Sequence, residues 1–433
     1  MDNSPNAPKS APPKQVTIGR RGAAGVAVAS LLSAGVGYVV LTVAARVLVP
    51  GTVNSVFVTF WSTLFACFGV LSGLSIETTR AVTAVSTADD ATTTASRPRV
   101  LAVGLAIGMV AAAVLAATML LWAPRLFPTN SLPLAGLVCL GVAAYAAHST
   151  VIGALAGRHS WSTYSRLIAA ESTVRLVLVL AAAALGARVL GFAAGTAVAA
   201  CTWVVVVALS PRARSAAAMR ADSTLPVFLR RIAAAALATG ASALLLVGFP
   251  MLLSLTTSST DYTASLAAVI AISWTRAPLM IPLTAYQGVA VSHFVLHRDQ
   301  GLRALLPVVR AVVLVGAVGA VLAYLVGPWI MVTVLGPTYV VSGALLAGLT
   351  GASAVLALLT LTGALCQALT MHRVFAAGWL TALAAAVAIL VLPLSLETRS
   401  ILALSIGPSI GIVLHVRALL RAPVHPASAV TTR

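Results

Sequence analysis

The sequence predicts an all-α, polytopic membrane protein of about twelve transmembrane helices in two six-helix lobes. Three observations carry this. Of the 433 residues, 60% are hydrophobic and 8% charged, with a mean hydropathy of +1.03, whereas a soluble protein needs about 25% charged residues to cover its surface. The apolar residues fall in runs of about 20, the length at which an α-helix crosses a ~30 Å hydrocarbon core. The basic residues alternate between the connections. Of 27, 21 collect on the side of the N-terminus, four (Arg46, Arg125, Arg188, Arg399) fall on the other, and two lie inside spans. By the positive-inside rule this puts both termini in the cytoplasm. The net charge of +18, which in a soluble chain would suggest nucleic acid, is here mainly a topology signal, and no nucleic-acid partner is expected.

Taken in order, residues 1–20 are Pro-, Ser- and Lys-rich without apolar periodicity and read as a disordered cytoplasmic tail. The predicted spans are 22–45, 53–76, 99–122, 133–157, 164–186 and 189–209, then 231–256, 263–290, 306–326, 340–367, 374–394 and 400–420. Arg20 and Arg21 precede a first span too long for the ~7–15 residue core of a cleaved signal peptide. The polar stretch 211–230 sits at the midpoint as a cytoplasmic linker between bundles at 21–210 and 231–420. Six spans on each side make the halves a parallel repeat. Gly153-Ala154-Leu155 and Gly363-Ala364-Leu365 close spans 4 and 10 at matching places. Gly327, Pro328, Gly336 and Pro337 interrupt helix between spans 9 and 10, where Trp329 reads as an interfacial anchor. Trp161, Trp203 and Trp379 also fit interfacial belts. Residues 421–433 form a second cytoplasmic tail.

Little in the chain suggests catalysis. There is no GxxxxGK[ST], HExxH or CxxC, no large outer loop to hold a catalytic subdomain, and Asp261 and Glu397 are the outer-face carboxylates. The four cysteines lie in apolar runs without ligand spacing. An enzyme, a metal site and a cofactor are therefore not expected.

Ionisable residues inside the bilayer are the functional candidates. Arg276, in Trp274-Thr275-Arg276-Ala277-Pro278, falls near the midplane of span 8, where Pro278 and Pro282 free backbone carbonyls. Ser273, Arg276, Met280, Thr284 and Gln287 share one side of that helix, a wettable face. The alternative is an arginine buried between helices on backbone carbonyls. In span 5, Glu171 and Arg175 stand at i, i+4 and can pair, either to fasten the helix or to couple substrate or protons. His148, beside Ser149 and Thr150, reads first as a hydrogen-bonded core histidine and second as a proton carrier. Arg46, and Arg80 with Glu77, read as interfacial anchors.

At the first two spans, Gly37-Tyr38, Ala45-Arg46-Val47-Leu48-Val49-Pro50, Phe57 and Glu77-Thr78-Thr79-Arg80 resemble the opening of the Wzx-type polysaccharide flippases of the multidrug/oligosaccharidyl-lipid/polysaccharide (MOP) exporter superfamily. Leu335-Gly336-Pro337-Thr338-Tyr339 is similar to that family's turn before span 10. Ser55 stands where the family usually has glycine after span 1. The resemblance implies a MATE/MOP-like V of two lobes around a cavity. By alternating access it would move a polyprenyl-diphosphate-linked oligosaccharide from inner to outer leaflet of the bacterial plasma membrane, for cell-envelope polysaccharide synthesis. The lipid-linked glycan and the bilayer are then its partners, with glycosyltransferases or polymerases of the same pathway. Arg276, Arg175 and Arg46 are the implied phosphate contacts, in that order, with Gln287 beside them and Glu171 and His148 as coupling groups. The rival is a MATE-type drug/cation antiporter. Such proteins carry acidic residues in span 1 or 7, and this chain has none there.

Overall fold

The computed structural model describes residues 20–49, 51–87, 97–296 and 306–421. The predicted tails lie outside the described residues apart from Arg20 and Arg421. Among the described residues there is no strand, and eleven helices are long and apolar enough to cross a membrane. A further helix of 31 residues, Leu266–Leu296, stands in the place of span 8. The fold is all-helical, as expected.

The first lobe contains α1 (Arg20–Val47), α2 (Thr52–Thr87), α3 (Val100–Ala117), α4 (Met119–Leu126), α5 (Ser131–Gly157), α6 (Trp161–Ala184), α7 (Val189–Val198) and α8 (Thr202–Leu209). The second contains α10 (Leu225–Leu246), α11 (Phe249–Thr256), α12 (Ser259–Ala264), α13 (Leu266–Leu296), α14 (Leu306–Leu325), α15 (Gly327–Leu335), α16 (Gly343–Ala368), α17 (His372–Leu390) and α18 (Leu396–Arg421). There are two main cores, one mostly of the first lobe around Phe57, Phe60, Leu155 and Phe192 that also takes in Phe228 and Ile232 of α10, the other mostly of the second around Phe249, Leu356 and Trp379 that also takes in Ala45 and Val58. Trp379 is therefore not interfacial. It packs inside the second lobe against Phe375, because its side of α17 faces α16 and α18 rather than headgroups.

Lipid tails are as apolar as leucine, so helices associate through close packing at small residues. α5 lies on α2 this way: a Cβ at Gly153 would stand 2.5 Å from the Ser75 carbonyl, and the Ser149 hydroxyl donates to the Leu71 carbonyl at 2.8 Å. The same device joins the lobes along α2 and α10, where Gly73 abuts the backbone of Ala236 and Gly69 the side chain of Ala243.

Besides span 8, which is interrupted near its start at Ser265, three predicted spans are broken. Span 3 divides at Thr118, whose hydroxyl bonds back to the Val114 carbonyl at 2.8 Å. Span 6 passes through a 3-10 turn at Ala199–Cys201. Span 7 begins at Leu225, inside the stretch read as linker, and stops at Val247-Gly248 before restarting with Pro250 in the first turn of α11. The rest of that stretch is folded too. It forms a short helix, α9 (Pro211–Ala217), capped by Ser210, and Ala221 N–H donates to the Pro98 carbonyl at 2.9 Å. The tight turn after α1 uses Gly51 at φ +95°, a conformation natural only to glycine. Ser55 instead sits one helical turn into α2, its N–H on the Gly51 carbonyl at 3.0 Å.

Candidate functional site

α5 and α6 face each other across the interior of the first lobe, and there the sequence candidates Glu171, Arg175 and His148 converge. They line a cavity of about 280 Å³ with Ser33, Tyr145 and Tyr164. The Arg175 guanidinium pairs with the Glu171 carboxylate, and the two side chains are only 4% and 6% exposed. The cation also lies over the Phe65 ring at 4.8 Å and the Trp61 ring at 5.8 Å, contacts worth about 0.5–2 kcal/mol when desolvated. The His148 ring stacks on Tyr145 at 5.4 Å, and its Nδ1 has no hydrogen-bond partner among the described residues. It is buried, as a core histidine would be, but not satisfied. A buried acid, its arginine, an imidazole and two phenols around one small cavity can hold, release or relay a proton.

Arg276 is 4% exposed and lines none of the described cavities, so the wet face expected beside it is not seen. Its Nη1 donates to the carbonyls of Leu245 and Leu246 at 2.9 and 2.6 Å, and the guanidinium lies 5.4 Å from the Phe249 ring. These are carbonyls at the broken end of α10, which have no helical partner and carry the negative end of the helix dipole. A cation from α13 satisfies both. Nη2 has no partner among the described residues. The side chain of Gln287 lies outside the described ones.

Arg46 and Arg399 answer the same need elsewhere. Arg46, on the first lobe, donates from Nε to the Val334 carbonyl at 2.7 Å and from Nη2 to the Thr333 carbonyl, at the C-terminus of α15 on the second lobe. Arg399, expected in an outer loop, is buried and donates to the carbonyls of Leu390 at 2.9 Å and Thr256 at 3.1 Å, ending α17 and α11.

The lobes meet along two seams that a parallel repeat would relate. The α2–α10 seam is closed through its depth. Ser62 donates to the Val247 carbonyl at 3.0 Å near one end. At the other, Arg80 bridges Glu77 and Asp222 at 2.5–2.9 Å, with Arg231 3.4 Å from Asp222. Arg80 is thus part of a charged cluster across the seam rather than a simple interfacial anchor. The α1–α13 seam is different. The Tyr38 hydroxyl donates to the Ser273 carbonyl at 3.3 Å, and its ring meets Trp274 edge-on at 6.3 Å. Among the described residues, nothing in 22–37 of α1 makes a hydrogen bond or ring contact with the second lobe. From Tyr38 toward the arginine-poor end the lobes join further: Tyr339 donates to the Ala45 carbonyl of α1 at 3.3 Å, and from the start of α2 Asn54 donates to the Tyr339 hydroxyl and Thr59 lies 3.1 Å from Tyr262. The two stretches that carry the family resemblance, around Arg46 and around Tyr339, therefore touch in space.

No protein-family model matches the chain. The uncharacterized protein Rv1510 of Mycobacterium tuberculosis is 40% identical over 406 residues, covering 94% of this chain and 93% of the relative. The uncharacterized protein Rv3630 of the same species is 38% identical over 414 residues, covering 93% and 95%. Among solved structures, the eukaryotic MATE transporter AtDTX14 superposes with a TM-score of 0.66 at 14% identity, over 93% of this chain and 96% of that one. An outward-facing MATE transporter of the MOP superfamily gives 0.64 at 16%, over 93% and 97%. A MOP superfamily transporter from Pyrococcus furiosus, described by the reverse polarity of its binding pocket, gives 0.62 at 15%, over 96% and 100%.

Proposed function

We propose a transport function for this chain, which belongs to the family of the mycobacterial proteins Rv1510 and Rv3630 and has the twelve-helix fold of the MATE transporters. It moves a polyprenyl-diphosphate-linked oligosaccharide from the inner to the outer leaflet by alternating access, for cell-envelope polysaccharide synthesis. The observation that carries this reading is the inequality of the two seams. With α2–α10 closed throughout and the contacts of α1 with the second lobe, among the described residues, beginning at Tyr38 and running toward the arginine-poor end, a lipid-linked substrate can pass its polar head between α1 and α13 while its tail stays in the bilayer. A water-soluble drug needs no such side entry.

The charges support an anionic cargo. Each described carboxylate near or within the first lobe is already paired, Glu77 and Asp222 with Arg80 and Glu171 with Arg175. The spanning helices of the second lobe hold none beyond Glu397 at the first turn of α18. Among the described spanning helices a cation would find no unpaired acid beyond Glu397 at the start of α18, whereas arginines can replace a diphosphate's lost hydration with charge-assisted hydrogen bonds. The Pyrococcus furiosus neighbour, whose binding pocket of reverse polarity suggests a different function, has the same fold. Arg276 offers Nη2 as the first phosphate contact once Tyr38 and Trp274 part, while Nη1 keeps hold of the α10 break. Arg175 contributes when Glu171 releases it, and Arg46 marks the exit. Glu171, with Tyr145, His148 and Tyr164 facing it, is the coupling group.

Deletion of the gene tests the class of cargo. Loss of an envelope glycan with normal susceptibility to cationic dyes is expected. Broad dye hypersensitivity with normal glycans would assign the protein to the MATE-type antiporters instead.

A further inference from the structure

We propose that a cavity between the lobes at the arginine-poor end binds a phosphate-bearing solute from that side, and that its occupancy holds that end shut. The site stands whichever cargo is moved, and needs only that the lobes part there.

The cavity measures about 230 Å³, room for one phosphorylated sugar or a hydrated phosphate. Seven of its twelve lining residues carry hydroxyls, and its one charge is Arg125. Several of these hydroxyls already donate elsewhere, as Ser254 does to the Met251 carbonyl at 2.8 Å. They keep lone pairs that can accept from a ligand's own hydroxyls. Ser259, at the rim, makes no hydrogen bond among the described residues. Arg125 differs from Arg46 and Arg399 at the same end. Those two are committed to helix carbonyls, while Arg125 makes no hydrogen bond or ion pair among the described residues. It sits in the last turn of α4, and no carboxylate lines the cavity. A guanidinium with free donors over a floor of hydroxyls suits an oxyanion that carries hydroxyl groups.

Its position gives it leverage. One wall comes from α2 and α4 of the first lobe, the other from α11 and α12 of the second, and they are pinned by Thr59 to Tyr262 at 3.1 Å and Ser55 to Thr263 at 3.4 Å. Opening this end pulls the walls apart and destroys the site. A ligand that binds one state alone favours it by the factor 1 + [L]/Kd, about elevenfold at ten times Kd. A solute that accumulates on this side would therefore slow opening.

The test uses the full chain in lipid nanodiscs with its cysteines replaced by alanine. Spin labels are placed at Leu132→Cys and Val340→Cys, exposed positions on opposite lobes at this end. Glucose 1-phosphate and inorganic phosphate are the probes, with binding read by calorimetry and separation by pulsed dipolar spectroscopy. Both the short-distance population and the heat of binding should depend on Arg125, with Arg125→Gln weakening affinity about tenfold or more and leaving the unliganded distance unchanged. Tighter binding of glucose 1-phosphate marks a phosphorylated sugar as the ligand, and equal binding marks free phosphate. No binding of either probe, equal binding to Arg125→Gln, or binding that leaves the distances unaltered would overturn the proposal.

Discussion

Replacing Glu171 with glutamine removes one half of a buried ion pair without changing its volume. The Arg175 guanidinium then keeps its charge at 4% exposure with nothing to neutralise it. Breaking a buried pair from one side costs ~3–5 kcal/mol, and the faces of Phe65 and Trp61 offset part of it, so a loss of about 3 kcal/mol is expected for Glu171→Gln. Replacing both residues, as Glu171→Gln with Arg175→Met, leaves no stranded charge, and stability should return to within ~1 kcal/mol of wild type. Reversible unfolding in bicelles reads these differences, and proton-dependent transport in vesicles reads the function. If the pair is a coupling device, the double variant folds normally and its transport no longer responds to pH. A single variant as stable as wild type would refute the electrostatic argument. A double variant that keeps the wild-type pH profile would reduce the pair to a fastener of α6.

Gly73→Val places two methyl groups against the Ala236 backbone and should lower stability by ~1–3 kcal/mol, measured by the same unfolding assay, whereas the exposed Val340→Ala should not. The hydrogen bond from Arg80 holds the Asp222 carboxyl below its ordinary value of 3.8. A depressed folded pKa means that the stabilisation from Asp222 is full above that ordinary value and is lost as pH falls through the lowered one. The thermal advantage of wild type over Asp222→Asn should thus persist at pH 5 and vanish in stronger acid. Arg46→Ala frees two carbonyls on α15 and should loosen the arginine-poor end, read as faster thiol labelling of Asn54→Cys, buried at that junction.

The twelve-helix plan was legible because the bilayer asks each crossing for its own run of apolar residues, and because Arg20, Arg21, Arg158 and Arg373 mark one side. Glu171 and Arg175 were legible because i, i+4 partners meet on any helix. What escaped depends on residues far apart in the chain. The break at Val247-Gly248 is stabilised by Arg276 from the next long helix, and neither position reveals the other. The Arg46 contact spans 288 residues, and the Arg80 cluster draws Asp222 from a stretch that looked like a loose connector. Arg399 read as a loop residue because its neighbours are polar, yet helix ends inside a membrane need donors, and it supplies them. The surroundings of Arg276 were not legible, because the carbonyls it meets belong to Leu245 and Leu246 at the end of another helix. Of the two readings open for it, packing on backbone carbonyls is the one seen.

Leaflet sidedness of a labelled polyprenyl-diphosphate glycan in vesicles carrying the purified protein tests the transport reading most directly. Label sealed in one leaflet is expected to become accessible in the other at a rate that depends on the protein, and Arg276→Ala or a cross-link between α1 and α13 to abolish the movement. Vesicles that take up cationic dyes against a proton gradient and leave the glycan lipid where it began would contradict that reading.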